Sequence, residues 1–180
     1  MSRRISKTVF IKIWTPNMRN LAMVKNRADH TPRGDLQPMS WGLVGGGQID
    51  SDYDEKMLVL AGKVCGQADR DEEYLAEIAT ALRESWEEAG IYPQEISIKP
   101  LALAIEKSSD HHVIVCDGSY HSNDISNGLH TSDPKGQVME ARWAPVEDLQ
   151  DGHIDGLRIY RSHLAIINDE RDSRYIYSVR

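Results

Sequence analysis

The feature that constrains this chain most is a helical pattern that begins near Asp71 and stops before Gly90. Apolar side chains recur along it at spacings of three and four residues and form one stripe, which comprises Leu75, Ile78, Ala79, Leu82 and Trp86. Glycine is common just past a helix C-terminus, and Pro93 cannot continue the helix. The pattern therefore predicts one long amphipathic helix, around which the rest of the chain is interpreted.

The other side of this helix is acidic, and the acidic residues concentrate in its last turns. Glu84, Glu87 and Glu88 fall within about 100° of one another around the helix axis, and Glu73 and Glu77 extend the acidic side upstream. Anions at a helix C-terminus cost roughly 0.3–1 kcal/mol each because of the helix dipole. A divalent cation such as Mg²⁺ or Mn²⁺ would offset this cost, since such ions prefer oxygen ligands. A plain solvated acidic face explains these residues equally well.

Length, charge and cysteine content limit the class of protein. The 180 residues suit a single domain spanning 1–180, and the formal charge of −7 argues against a nucleic acid or an anionic membrane as main partner. No apolar run approaches the roughly 20 residues of a membrane-spanning helix, and the N-terminal sequence lacks a signal-peptide core. Cys65 and Cys116 have no metal-ligand spacing, so we expect a cytoplasmic protein with free thiols; a single disulfide is the alternative.

Strand-like segments flank the predicted helix on both sides, which predicts the α/β class. The first two are expected to form a hairpin, and a short apolar segment at Trp41–Val44 runs into three glycines that require a sharp turn or a close approach. A final helix is predicted over 154–167, and residues 48–70 are interpreted as a loop followed by a short helix or strand. The predicted strands, including the two of the hairpin, cover 8–14, 21–24, 96–98, 101–105, 112–116 and 137–143.

Three cations in the segment that leads to the glycines are candidates for binding phosphate oxygens. They are Lys25, Arg27 and Arg33. Ordinary solvated loop charges are the alternative interpretation for each of them.

The stretch from Arg83 to Ile91 resembles the second half of the Nudix box, whose pattern is Arg-Glu-apolar-any-Glu-Glu-any-Gly-apolar. Each charged and glycine position is matched, and Ser85 is the one departure, since an aliphatic residue is usual there. Trp41 to Gly46 resembles the strand and glycine pair that open the box, and Arg142 to Leu149 resembles the family's closing strand and short helix. The resemblance covers about 8–167 and implies a Nudix-type α/β/α sandwich with a mixed sheet.

The first half of the box is interrupted. In the family about five residues separate the glycine from a glutamate, and seven more precede the arginine; counted back from Arg83, that glutamate position is Leu75. About 23 extra residues separate Gly46 from the helix, which indicates an insertion over about 48–70. Because the family's glutamate holds the arginine, Arg83 needs another partner here. The candidates for that partner are Glu87 and Glu77.

The resemblance implies a metal-dependent hydrolase that cleaves, with water, a nucleoside diphosphate linked to another group. Arg83 would orient the glutamates, and a carboxylate from a later loop would act as base, with Glu140 as first candidate and Asp133 as second. The implied ligands of Mg²⁺ or Mn²⁺ are the carboxylates of Glu84, Glu87 and Glu88 and the carbonyl of Gly46.

Two other functions fit the same residues. A catalytically impaired Nudix-fold module that binds a nucleotide or a protein partner would explain the interrupted box, and an unrelated α/β domain would explain a merely solvated acidic helix. The family is compatible with a homodimer, and the sequence does not select a substrate. We expect selectivity to lie in the 48–70 insertion and in a long polar loop at 117–136, because both would flank the site.

Overall fold

A seven-stranded mixed sheet is the central layer of the computed structural model, which describes residues 6–30, 36–108, 111–168 and 176–178. The strands lie in the spatial order β11-β6-β7-β1-β5-β2-β8, in which β1 runs parallel to β7 and the other neighbours are antiparallel. Their bounds are β1 Ser6–Trp14, β2 Asn20–Asn26, β5 Ser40–Gly47, β6 Ile96–Ser108, β7 His111–Tyr120, β8 Val138–Pro145 and β11 Ile176–Ser178. Two-residue strands form two further small sheets, β3 Asp29–His30 with β4 Leu36–Gln37, and β9 His153–Ile154 with β10 Leu157–Arg158.

Helices cover both faces of the large sheet. They are α1 Glu55–Cys65, α2 Glu72–Ala89, α3 Val146–Asp151 and α4 Arg161–Ile167. One hydrophobic core lies between the sheet and α1 with α2, and a second lies between the sheet and α3 with α4. This arrangement is an α/β/α sandwich with a mixed sheet, which confirms the predicted fold class.

Alternation along β1 shows how the sequence builds both cores. Val9, Ile11 and Ile13 are fully buried against the α2 side, whereas Phe10 and Trp14 belong to the core on the opposite side. Successive side chains of a strand point to opposite faces of the sheet. A strand that is covered on both faces therefore carries apolar residues on both sides, as β1 does. The strand β1 therefore fixes the position of α2 over the sheet.

The predicted hairpin of the first two strands is only partly formed. β1 and β2 pair at Trp14 and Leu21, next to the connecting turn, and β5 lies between them along the rest of their length. The glycine end of β5 is thereby placed in the middle of the sheet, under α2.

The predicted final helix over 154–167 is wrong in its first half, because the helix begins only at Arg161. Asp155 and Gly156 both have positive φ, 49° and 75°, and connect β9 to β10. An Asp-Gly pair is typical of a two-residue hairpin turn with positive φ at both positions. This local turn overrides the apolar spacing that suggested a helix.

The insertion is structured. A 3₁₀ helix at Asp50–Tyr53 is followed by α1, which ends at Gly66 in the left-handed conformation and packs along α2. For residues 48–70 we predicted a loop followed by a short helix or strand, and the helix is the correct alternative. Among the described residues, no helix has both the length and the apolar content needed to span a membrane.

Candidate active site

The helix α2 is buried on most of its circumference. Its first turn is capped by Asp71, whose side chain accepts a hydrogen bond from the Tyr74 N–H, and it ends at Gly90 with φ 67°. Twelve of its 18 residues are buried, and they include Glu77 and Glu84, with exposed fractions of 0% and 4%. The acidic side of α2 therefore faces the sheet, and the interpretation as a merely solvated face is wrong.

Glu77, a predicted partner of Arg83, is held by a different cation. Lys7 of β1 lies 2.5 Å from Glu77 and 2.6 Å from Glu73, measured from Nζ to the nearest carboxylate oxygen. A buried carboxylate is stabilised only when it is paired and hydrogen-bonded. Lys7 and Glu77 therefore join α2 to β1.

Arg83 is the centre of the candidate site. Its Nε and Nη2 donate to the two oxygens of Asp52 at 2.8 and 3.2 Å, and Nη2 also donates to the Gly47 carbonyl at 2.8 Å. Its Nη1 donates to Glu84 at 2.6 Å and to Glu87 at 3.1 Å. Burial alone would lower the pKa of Arg83, but the bonds and charges of Asp52 and Glu84 raise it above its ordinary value. A permanently charged guanidinium thus gathers the carboxylates at the end of α2, and the predicted contact with Glu87 is present.

Asp52 is the functional residue that the sequence interpretation missed. Its carboxylate is fully buried and, besides Arg83, accepts hydrogen bonds from the Thr80 hydroxyl and the Ile49 N–H, both at 2.9 Å. Asp52 lies six positions after Gly46, which is the family's glycine-to-glutamate spacing, with aspartate in place of glutamate. If the spacing of the resemblance holds, the extra residues fall after this carboxylate and not before it.

Gly46 lies directly against the Glu84 carboxylate. A Cβ at this position would overlap the carboxylate atoms of Glu84, so only glycine lets that side chain lie against the end of β5. Burial raises the pKa of Glu84, although the neighbouring Arg83 opposes the shift. The predicted ligands Gly46 and Glu84 are therefore adjacent in space.

Glu88 is held by the neighbouring glycine of the same strand. The Gly45 N–H donates to Glu88 Oε2 at 2.9 Å. Burial, together with repulsion from Glu84, Asp133 and Glu87, raises the pKa of Glu88 to about 8, even though the Gly45 N–H opposes the shift. Burial beside other carboxylates therefore favours the protonated, uncharged form of Glu88.

The loop before β8 contacts the end of α2, although the predicted start of this loop at residue 117 is wrong, because β7 continues to Tyr120. The Glu87 carbonyl accepts hydrogen bonds from the Ser132 N–H at 2.8 Å and from the Thr131 and Ser132 hydroxyls at 3.4 Å. These donors satisfy a carbonyl that has no partner within the helix. The loop is therefore anchored directly on the backbone of a candidate ligand.

Asp133, the second candidate for the base, shapes this loop. Its carboxylate accepts hydrogen bonds from the N–H groups of Lys135, Gln137 and Val138 at 2.8, 2.6 and 2.9 Å. Burial alone would raise the pKa of Asp133, but these N–H groups hold it below its ordinary value. Repulsion from Asp133 is one of the smaller contributions that raise the pKa of Glu88.

Glu140, the first candidate for the base, lies in a different group. It accepts hydrogen bonds from Arg142 at 2.6 Å and from Lys25, directly opposite on β2, at 3.4 Å. Both cations lie over the ring of Trp41. This residue belongs to the hydrophobic core between the sheet and α3 with α4. The hydrogen bond from Arg142 lowers the pKa of Glu140. The structure thus does not bring Glu140 and Lys25 together with the three glutamates.

Arg27 lines a groove next to the loop. The groove has a volume of about 300 Å³ and is also lined by Asn26, Gln37, Gly136 and Gln137. A second groove of about 260 Å³ shares Asn26 and Gln37 with the first and is bordered by Phe10, Gly45, Tyr160 and His163. Arg33 lies outside the described residues.

The donor set suits a hard divalent cation. Among the residues that the structure describes, no group of three or more His, Cys, Asp or Glu side chains is already arranged so that it could hold a metal ion. Glu84 and Glu87 both turn one oxygen toward Arg83, while Glu88 turns one oxygen toward the Gly45 N–H. Carboxylate and carbonyl oxygens are the ligands that Mg²⁺ and Mn²⁺ prefer, so the residues present fit such an ion.

Gly45 is expected to tolerate no side chain. Its φ is +154°, and a Cβ would overlap the Val9 carbonyl and Phe10 on β1. We expect Gly45→Ala to lower the free energy of unfolding by about 2 kcal/mol or more in a denaturant titration. Gly47→Ala is the matched control, because a Cβ there meets nothing and its effect should stay within about 1 kcal/mol. Equal effects of the two changes would contradict the close approach at Gly45.

The raised pKa of Glu88 predicts a pH dependence of stability in metal-free buffer. The pKa is about 8 in the folded chain, above the ordinary value of 4.5, so the folded state keeps a proton that the unfolded state releases. The free energy of unfolding of the wild type should therefore fall as the pH rises from about 4.5 to about 8. Glu88→Gln should lose less stability across this window, measured as Tm between pH 5 and 8.5 with a chelator. Parallel Tm profiles for both proteins would contradict this account.

Comparison with known proteins places the chain by its fold. No profile of a protein family and no curated protein sequence matches it. A Nudix hydrolase structure from Alicyclobacillus acidocaldarius is similar with a TM-score of 0.56 at 15% identity, over 93% of this chain and 91% of that one. The Nudix domain of Shewanella oneidensis NrtR, in complex with ADP ribose, has a TM-score of 0.54 at 19% identity, over 92% and 85%. A Nudix-family hydrolase from Clostridium perfringens has a TM-score of 0.51 at 14% identity, over 92% and 95%.

Proposed function

We propose, on the premise that this chain has the Nudix fold, that it hydrolyses the diphosphate bond of a nucleoside diphosphate linked to another group, in dependence on Mg²⁺ or Mn²⁺. The observation that carries the proposal is the Arg83 cluster. One half-buried guanidinium, fixed by Asp52, gathers the carboxylates of Glu84 and Glu87 beside the glycine end of β5. A protein with no use for a cation would gain little from concentrating anions at a helix C-terminus.

The ligands in this proposal are the carboxylates of Glu84, Glu87 and Glu88 and the carbonyl of Gly46. A bound Mg²⁺ or Mn²⁺ supplies positive charge to phosphate oxygens and lowers the pKa of a coordinated water. The chain's own contribution is the placement of the oxygens. Arg83 fixes the carboxylates of Glu84 and Glu87, and the Gly45 N–H fixes that of Glu88.

Asp52 favours the hydrolase over a catalytically impaired binding module. The impaired module was suggested by Leu75, which stands where a carboxylate was expected when positions were counted back from the helix. Asp52 supplies a buried carboxylate to Arg83 from the segment between β5 and α1, so the arginine has a carboxylate partner although Leu75 is apolar. In the proposed enzyme Glu140 holds Lys25 and Arg142 beside Trp41 and does not accept a proton, because two cations already occupy it.

The two connected grooves beside Gly45 and Arg27 are proposed to take the nucleoside. Phe10 and Tyr160 offer aromatic surface there, and the side chains of Asn26 and Gln37 offer amide donors and acceptors. Aromatic rings stack well on planar heterocycles, and amide groups can form hydrogen bonds with their edges. Arg27 is retained as a candidate phosphate-binding residue at the end of the first groove.

Free Cys65 and Cys116 support the cytoplasm as the proposed location, since thiols persist in a reducing compartment. A homodimer stays a prediction.

A nucleotide panel tests the proposed function. Nucleoside triphosphates, nucleotide sugars and dinucleoside polyphosphates are incubated with Mg²⁺, with Mn²⁺ or with a chelator, and the products are separated by chromatography. We expect metal-dependent cleavage of at least one diphosphate-linked compound, reduced at least about 100-fold by Glu87→Gln. Glu72→Gln, an exposed glutamate at the other end of α2, is the matched control and should keep the wild-type rate. Cleavage that is independent of metal, or the absence of cleavage across the panel, would overturn the proposal.

A further inference from the structure

A pocket of about 340 Å³ lies between the inserted helix α1 and the helix α2. Its apolar walls are formed by Met57, Leu60, Leu82, Trp86 and Pro93. Arg83 and Glu87 also line it, so the pocket borders the candidate active site directly. Its volume falls within the range of about 300–1,000 Å³ that is usual for small-molecule sites.

Trp86 shows that this apolar surface is uncovered. The apolar spacing along α2 predicted Trp86 to be buried with the rest of its stripe, yet its exposed fraction is 49%. Met57 and Leu60 on the facing side of α1 are only half-buried. Large exposed apolar surface inside a concave site is typical of a place where a ligand packs.

The charges around the pocket limit what it can hold. Asp54 and Glu87 contribute carboxylates, and Asp52 is already paired with Arg83, the one cation among the described lining residues. An anionic occupant would meet these carboxylates without a counter-charge, because the guanidinium is already engaged by four acceptors. The lining therefore favours an uncharged occupant.

We infer that this pocket binds an uncharged apolar group, aromatic or alkyl, that is attached to the far side of the substrate's diphosphate. The inference rests on the proposed function and adds the chemical class of the second group. Arg83 and Glu87 line the pocket and also belong to the candidate site, so the second substituent of a diphosphate bound there would have the space between α1 and α2 beside it. The inserted helix α1 is then a specificity element that supplies Met57 and Leu60.

Two matched substrates test the inference. Adenosine diphosphate carrying a 2-phenylethyl ester and the same compound carrying a methyl ester share the scissile bond and differ only in the apolar group. We expect kcat/KM with Mg²⁺ to be at least about 10-fold higher for the phenylethyl compound, mainly through a lower KM. Leu60→Trp, which fills the pocket, should bring this ratio close to one. Val59→Trp is the matched control, because Val59 is exposed on the same helix outside the pocket, and the wild-type ratio should persist.

A binding measurement without turnover separates the inference from the proposed function. Fluorescence of the uncharged dye N-phenyl-1-naphthylamine should rise saturably with metal-free wild type and with Val59→Trp. For Leu60→Trp, half-saturation should require a dye concentration at least about five-fold higher. Circular dichroism confirms that each variant is folded. Dye binding that depends on Leu60, without cleavage of either ester or of any member of the nucleotide panel, would support the pocket and overturn the proposed function. Equal kcat/KM for the two esters, or dye binding unaffected by Leu60→Trp, would overturn the pocket. So would self-association through this surface in place of dye binding, revealed by sedimentation and lost in Leu60→Asp.

Discussion

Asp52→Asn is expected to lower the free energy of unfolding by about 3–5 kcal/mol, the usual cost of removing one member of a buried ion pair. Arg83 and the Ile49 N–H both donate to the Asp52 carboxylate, which is fully buried. An amide NH₂ group would have to face one of these donors, and Arg83 would lose its counter-charge. Denaturant titration followed by circular dichroism measures the change.

The matched control for this prediction is Asp54→Asn. Asp54 is exposed, lies two residues further along and caps α1 without a side-chain hydrogen bond to the helix. Its replacement should change the free energy of unfolding by about 0.5 kcal/mol or less. If both changes cost the same, Asp52 is not the anchor of Arg83, and the description of the site is wrong.

Glu88→Gln is expected to lower kcat/KM by at least about 100-fold on any diphosphate compound that the wild type cleaves. The glutamine oxygen can still accept the Gly45 N–H, so the local fold is retained, but the charge needed to hold a divalent cation is lost. Changes to residues that only orient metal ligands typically cost 10–100-fold, and loss of a ligand should exceed that range. Steady-state kinetics across a Mg²⁺ titration give the value.

Glu147→Gln provides the comparison for Glu88→Gln. Glu147 is exposed on α3, on the opposite face of the sheet from α2, and its replacement should leave kcat/KM unchanged. Wild-type kinetics in Glu88→Gln at every Mg²⁺ concentration would exclude Glu88 from the ligands.

The local signals in the sequence were sufficient to predict α2. The apolar spacing, Asp71 and Gly90 fix the helix and its end, whereas the metal site predicted from the acidic residues after Arg83 stays a prediction. Ser85, the departure from the box, is buried and satisfied because its hydroxyl donates to the Ala81 carbonyl at 2.6 Å. A serine at this helical position can bond to the preceding turn, which explains why it is tolerated in the core.

Contacts between distant residues could not be predicted in the same way. Lys7 and Glu77 are 70 positions apart, and no spacing along the chain indicates that they pair. Asp52 was detectable from its distance to Gly46, but the insertion that follows it hid the relation to Arg83, because only folding of α1 along α2 closes that gap. The contact of Glu140 with Lys25 likewise could not be predicted, because it depends on the pairing of β2 with β8.

The most direct test of the account is Mn²⁺ binding, followed by electron paramagnetic resonance of the free ion in the absence of substrate. We expect the wild type to bind Mn²⁺ saturably, and Glu84→Gln and Glu88→Gln each to weaken binding at least about 10-fold, while Glu72→Gln binds as the wild type does. Equal binding by all four proteins, or none by the wild type, would contradict the claim that the end of α2 is a divalent-metal site.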